Sequence, residues 1–260
     1  MMSSLSSSVI EPIRAGMDAT LLSQQDQRST NTMVPLIAIV GSDGSGKSTV
    51  GELLLAWLQE SRPTELCHLG KQTGNIGRAI AKWPILGSKL DKAIAAKAGK
   101  AQDSKGPSTL TALIIYLFSM RRVRRFRRML AIRRKGVTVL ADRFPQIEVP
   151  GPMDGLGLAK AAEGGALARA LARRERRHYE WMTGYRPTLV LRLTVDLATA
   201  FARKPDHRYA SLQTKIDHVA RLSFGGAPIV DIDATLPLDE VIRQAKQAIT
   251  DALSRPAEAP

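Results

Sequence analysis

Leu36-Ile37-Ala38-Ile39-Val40-Gly41-Ser42-Asp43-Gly44-Ser45-Gly46-Lys47-Ser48-Thr49 is the stretch on which the fold turns. Its first five residues are apolar, rich in β-branched side chains, and break off at Gly41, which reads as a strand buried on both faces of a parallel sheet. From Ser48 the period changes. Val50, Leu53, Leu54, Trp57 and Leu58 fall on one helical face, and Pro63 lies beyond the helix end. Between strand and helix stands Gly41-x-x-x-x-Gly46-Lys47-Ser48, a complete phosphate-cradle pattern. Each part has a physical task. Glycines let backbone N–H groups close around phosphate oxygens where a Cβ would obstruct them. The following helix points its N-terminal dipole at the anion. Lys47 reaches the terminal phosphates and the Ser48 hydroxyl reaches a divalent cation. A glycine-rich turn matching by chance is the plain alternative, and the strand before and helix after it argue against that.

The same alternation continues along the chain. Glu65–Leu69 is a weak second strand, and Ser108 or Thr109 caps a long helix to about Arg134, ended by Gly136. Val137–Ala141 is a third strand running into Asp142. Residues 145–165, with Pro145, Pro150, Gly151, Pro152, Gly155 and Gly157, form a long loop. Helices are expected over 166–182, 197–203, 214–224 and 238–253, and strands over 188–195 and 228–232. This is an α/β fold of the P-loop NTPase type: a parallel sheet of about five strands with helices on both faces. Residues 34–253 form the domain, with a basic insertion at about 70–107 and a charged loop at about 203–213. Residues 1–33, rich in Ser, Thr and Gln, read as a disordered leader with one short helix near Ile10–Leu22, and 254–260 as a flexible tail.

The 260 residues carry a formal net charge of +14. Between Lys71 and Lys135 stand 17 Lys and Arg against two acids, so this window alone holds +15 and the remainder is near neutral. An acidic partner or substrate follows. The one cysteine, Cys67, forms no intrachain disulfide, and the four histidines show no metal-ligand spacing. With no signal peptide and no apolar run of membrane length, the expected compartment is the cytoplasm. A homodimer is compatible with the sequence.

Asp142 ends an apolar strand, where a carboxylate lies near the ligand crevice of an open α/β sheet and can join a Mg²⁺ shell; a strand-end cap is the alternative. Arg143 and Phe144 follow it. Gly-x-Asp-Gly-x-Gly-Lys-Ser-Thr together with Asp142-Arg143-Phe144 resembles the thymidylate kinase family and its nucleoside and nucleotide kinase relatives. Leu117-Phe118-Ser119-Met120-Arg121-Arg122, Pro187–Leu191 and Ile232-Asp233-Ala234 resemble further segments of it, over about residues 34–253. The resemblance implies ATP and Mg²⁺ as cofactors and transfer of the γ-phosphoryl group to a dTMP-like or related small acceptor. It places ATP on Gly41, Ser42, Gly44, Ser45, Gly46, Lys47, Ser48 and Thr49, and the metal on Ser48 and Asp142. Lys47, Asp43, Asp142 and Arg143 become the catalytic set. Arg122 and Arg143 become acceptor contacts, and Arg203, Lys204 and Arg208 lid residues. Gly70–Asn75 and Pro145–Gly155 depart from that family's acceptor segments. An uncharged hydroxyl acceptor needs a base, which Asp43, Asp142, Glu148 or Asp154 can supply.

Arg121-Arg122-Val123-Arg124-Arg125-Phe126-Arg127-Arg128-Met129 is the most unusual run. Val123, Phe126, Met129 or Leu130, and Ile132 form an apolar stripe, with arginines on the rest of the circumference. A solvated face, arginines entering the site, and contact of 121–135 with an anionic membrane, nucleic acid or acidic polymer are its three readings. The alternative function is thus a nucleotide-dependent switch docking through this helix. Five arginines over 169–177 read as a solvated face, and His178, Tyr179 and Trp181 as packing. Met and Leu along 110–120 read as core. Asp206-His207 and Asp217-His218 read as neighbours that point apart.

Overall fold

The computed structural model describes residues 34–70, 109–151, 153–159, 161 and 164–254. The leader 1–33, nearly all of the basic insertion, the capping choice at Ser108 and the tail from 255 onward lie outside the described residues. Five strands form one parallel sheet in the order β2-β3-β1-β4-β5: β1 Leu36–Gly41, β2 Thr64–His68, β3 Thr138–Asp142, β4 Leu189–Thr194 and β5 Ile229–Asp233. Every residue of β1 is buried, as its unbroken apolar run requires. In register, Ile37 lies between Leu140 of β3 and Leu189 of β4. The chain places β2 at one edge, returns to insert β3 beside β1, and then adds β4 and β5 on the other side, so the C-terminal end of β1 is where such sheets open a ligand crevice.

Helices α1 (Lys47–Gln59) and α6 (Leu238–Ser254) cover one sheet face. Val50, Leu54 and Leu58 of α1 and Val241, Ala245 and Ile249 of α6 pack on Ile37, Ile39, Leu140, Leu191 and Ile232. Side chains alternate along a strand, so Leu36, Ala38 and Val139 face the other way, where α2 (Thr109–Arg134) packs with α3 (Ala166–Thr183). These two helices run in the same direction. Ala112 of α2 clusters with Ala168 and Leu171 of α3, Ser119 meets Glu175, and Phe126 meets Trp181. Phe126 also packs edge-on against Phe144, with ring centroids 5.9 Å apart, and so joins α2 to the residues after β3.

Helix α4 (Leu197–Arg203) starts at Asp196, whose carboxylate accepts from the Thr199 N–H at 2.8 Å. Helix α5 spans Tyr209–Ala220 instead of 214–224. At its start Tyr209 packs on Phe201 of α4, and at its end Arg192 of β4 donates to the carbonyls of Val219, Ala220 and Leu222. That guanidinium, itself paired with Asp231, holds the last carbonyls and stops the helix. Phe224 therefore falls in a separate turn.

Several other expectations shift. Leu53 is 42% exposed, and the α1 stripe uses Gly51 instead, where the helix passes Ile39 and Leu66 closely. On α2, Leu110, Leu113 and Leu117 are 43%, 41% and 54% exposed and do not join the core. Val123, Phe126, Met129 and Leu130 of α2 are buried, as the apolar stripe requires, but Arg122 and Arg133 are buried with them, so two arginines occupy the covered face and Ile132 lies beside it. Glu175, counted with the solvated arginine face, is buried. It accepts from Ser119 and from the Gly157 and Leu158 N–H groups, which ties α2, α3 and the 145–158 loop together. Tyr179 is fully buried, in keeping with a packing role.

Candidate phosphate site and the crevice beside it

The loop from β1 to α1 is held open by its own backbone. Gly44 and Gly46 take φ of 85° and 80°, conformations that suit glycine. A Cβ at Gly44 would come within 2.8 Å of the Ala200 carbonyl, because α4 packs against the loop. A Cβ at Gly46 would meet nothing within 4 Å, so the loop mouth is clear on that side. Gly46 precedes α1 with no side-chain cap, leaving the first-turn N–H groups for an anion. The Ser45 hydroxyl and the Lys47 ammonium both donate to the Ser42 carbonyl, at 2.9 and 2.6 Å. Burial, and next the Arg143 charge, push Lys47 down to about 8 against the pull of Asp43, Asp142 and Asp154. A half-buried cation held so far below its ordinary value favours an arriving anion.

Asp43 meets basic side chains from three directions. Lys215 of α5 donates to it, Arg143 Nη2 lies 3.7 Å away, and His207 Nδ1 lies 3.5 Å away. Burial works against the Asp43 charge, but the Lys215 hydrogen bond and charge, with Lys47 and Arg143, outweigh it and keep the carboxyl below its usual range. His207 Nε2 also stands 3.9 Å from Asp206, which corrects the expectation that these neighbours diverge. The rule for helical neighbours fails here because His207 sits in the turn between α4 and α5. Asp217 bonds Gln213, not His218.

At the end of β3, Asp142 Oδ2 lies 2.7 Å from His68 Nδ1 of β2, while Oδ1 is buried with no partner. Burial opposes this carboxylate too, and His68, Arg143 and Lys47 lower its pKa regardless. An acceptor oxygen left over beside the loop suits a hard cation. Ser48, exposed in the first turn of α1, is the second oxygen available. No group of three or more His, Cys, Asp or Glu gathers among the described residues. A Mg²⁺ here therefore fits a site completed by phosphate oxygens and water instead of an all-protein cage.

Arg143 takes φ of 61°, and with it Asp154 (61°) and Phe224 (50°) complete the non-glycine residues of positive φ among those described. All three line one crevice beside Lys47, with Phe144, Met153 and Leu222. Backbone strain of order 1–3 kcal/mol per residue persists only where the surroundings over-determine it. Here they do. Arg122 is wholly buried and pairs with the Asp154 carboxylate; it also donates to the Asp154 carbonyl at 2.7 Å, the Leu69 carbonyl at 2.7 Å and Tyr179 at 3.2 Å. Buried Gln146 donates to the Val149 and Met153 carbonyls and accepts from the Val149 N–H. Glu148 accepts from the Ser223 N–H and hydroxyl and the Gly225 N–H, fastening the loop to the turn around Phe224.

The structure thus brings Lys47, Asp43, Asp142, Arg143 and the residues from Gly41 to Thr49 together. Arg203 reaches the loop from α4, donating to the Gly44 carbonyl at 3.2 Å and to Ala234 at 2.9 Å. Lys204 and Arg208 stay exposed on either side of the α4–α5 turn. Arg122 touches the crevice only through Asp154. Of the carboxylates weighed as bases, Glu148 is engaged with the 223–225 turn and Asp154 with Arg122. Lys215, His207 and His68 were missed. Nothing local marks them; only the sheet and the α4–α5 turn bring them to the loop.

Fold and loop together define a P-loop NTPase-type α/β protein. No protein-family model matches the chain. Over 227 residues it is 43% identical to the "Uncharacterized ATP-binding protein YghS" of Escherichia coli K12, spanning 86% of this chain and 96% of that one. Over 242 residues it is 41% identical to the "Uncharacterized ATP-binding protein YghR" of the same strain, spanning 90% and 95%. A YghR from Escherichia coli O6:H1 matches to the same extent. The chain belongs to the family of YghS and YghR. Among the described residues no helix is long and apolar enough to cross a membrane.

Proposed function

We propose that this protein binds Mg·ATP at the 41–49 loop and transfers the γ-phosphoryl group to a small phosphorylated acceptor in the adjoining crevice. The names of YghS and YghR support the ATP half. The observation that carries the transfer is Arg143. A strained backbone sets its guanidinium beside Asp43, in a crevice shared with Lys47, so two cations border a space outside the loop. A phosphate there needs charge neutralisation and alignment more than covalent help.

In this reading the loop amides and Lys47 hold the terminal phosphates of ATP. Ser48 and Asp142 would hold a Mg²⁺, which would supply further neutralisation of phosphate charge. Arg143 holds the acceptor phosphate, whose oxyanion attacks without a general base. Lys215 and Arg203 add positive charge from α5 and α4. Apolar Phe144, Met153, Leu222 and Phe224 line the crevice, which has room for about one water as it stands and must open to receive the acceptor body. A dTMP-like acceptor is the first to test.

The test is ATP consumption by the purified protein against nucleoside monophosphates, nucleosides and phosphorylated sugars. Turnover with a phosphorylated acceptor, and a KM for it that rises in Arg143→Ala, is the expected result. Consumption with uncharged hydroxyl acceptors alone moves the reading to a base-assisted transfer, with Asp43 or Asp142 as base. If folded, ATP-binding protein consumes none with any acceptor, the transferase reading fails and a nucleotide-dependent switch replaces it.

A further inference from the structure

The arginines of α2 and α3 that face solvent take no part in the crevice. On α2, residues 110, 113, 117, 121, 124 and 128 lie on one line along the helix at 3.6 residues per turn. All six are exposed: Leu110, Leu113, Leu117, Arg121, Arg124 and Arg128. This ridge is about 27 Å long, apolar at its first end and cationic at its second. A flat surface can meet all of it at once.

Helix α3 widens the cationic end. Arg127 of α2 lies over the Trp181 ring at 5.7 Å. Arg127 of α2 and Arg174 and Arg177 of α3 all act on His178, whose pKa burial and then their charges lower. Counter-charge is sparse. Helix α2 contains no Asp or Glu. Glu180 pairs with Arg176 at 3.5 Å, and Glu65 stands 4.0 Å from Arg128. Exposed pairs of this kind neutralise little.

We propose that this face docks on an anionic lipid bilayer, with the arginines on headgroup phosphates and the three leucines in the acyl boundary. Two observations favour a bilayer over nucleic acid. The leucines continue the arginine line, and a phosphodiester backbone has no use for them. The aromatic rings beside the arginines are engaged, Trp181 by Arg127, Phe126 and Tyr185, and Phe118 by Arg121 at 6.0 Å, which leaves little ring face to stack a base. The proposal does not depend on the chemistry of the crevice.

Vesicle flotation of the full chain tests it, with phosphatidylcholine alone and with phosphatidylcholine mixed with phosphatidylglycerol. The protein is expected to float with the mixed vesicles only, and to be released as salt rises. Removing charge through Arg124→Ala, Arg128→Ala and Arg174→Ala should lower partitioning about fivefold per arginine. Leu113→Ser with Leu117→Ser should weaken binding to the same vesicles, a loss that salt does not mimic. Binding to a duplex oligonucleotide without flotation overturns the proposal, as does absence of binding to the mixed vesicles. Leucine variants that float like the unaltered protein overturn the bilayer geometry. Thermal melting checks that each variant is folded; should one not fold, the two vesicle types and the salt series on the unaltered chain decide the matter.

Discussion

One wall of the crevice, the 41–49 loop, is main chain; the facing wall, from Arg143 to Leu158, is held in shape by buried side chains. The loop takes its form from glycine torsions and the start of α1, all within one short segment. The facing wall depends on Arg122 of α2, Glu175 and Tyr179 of α3 and Gln146 of its own loop. A backbone-built wall can lose a side chain and keep its shape. A wall built on buried charge cannot, because removing one partner leaves the other unpaired.

The largest effect should therefore come from the facing wall. Arg122→Ala strands the Asp154 carboxylate and the Leu69 carbonyl, and should cost about 3–5 kcal/mol of stability. Denaturant titration checks this, and Arg122→Ala in an Asp154→Ala background should cost much less than in the native chain. Equal costs in the two backgrounds would break the comparison. Lys47→Ala should lower ATP turnover about 10²–10³-fold while leaving the denaturation midpoint nearly unchanged. A large stability loss there would mean that the loop also leans on side chains.

A pH series sharpens the same contrast. Lys47 loses its proton above about 8 in the free protein, and a bound triphosphate favours the charged form. Affinity is flat below that point and falls above it. ATP should bind about tenfold more weakly at pH 9 than at pH 7, and calorimetry in buffers of different ionisation enthalpy should show proton uptake on binding at pH 9. The smallest effect belongs to Glu148→Gln, which weakens exposed bonds to Ser223 and Gly225. About 1 kcal/mol is expected, read as faster amide exchange at Ser223 and Gly225.

Legibility in the sequence followed the same division. The strand, glycine loop and helix of 36–59 could be read directly, since one contiguous run sets all three. Asp142-Arg143 was visible as a strand end. The partners of these residues were not, because Lys215 reaches Asp43 across 172 positions and Arg122 reaches Asp154 across 32. Helical spacing located α2 to within a residue, yet it does not say which face the sheet covers. Arg133 therefore looked solvated and Arg122 looked like an acceptor contact, while Leu113 and Leu117 looked buried. The bounds of α5 depend on Phe201 at one end and Arg192 at the other, both outside the helix.

Cys67, the chain's one cysteine, stands half-covered on β2 between Leu66 and His68. Burial, and then Glu65, push its thiol up to about 11. At neutral pH almost none of it is thiolate, so maleimides and other thiol reagents should pass the native chain by. The protein is thus ready for site-directed labelling without prior removal of cysteine. A fluorophore on Ser223→Cys, at the turn that Glu148 holds, would report opening of the crevice against a silent background.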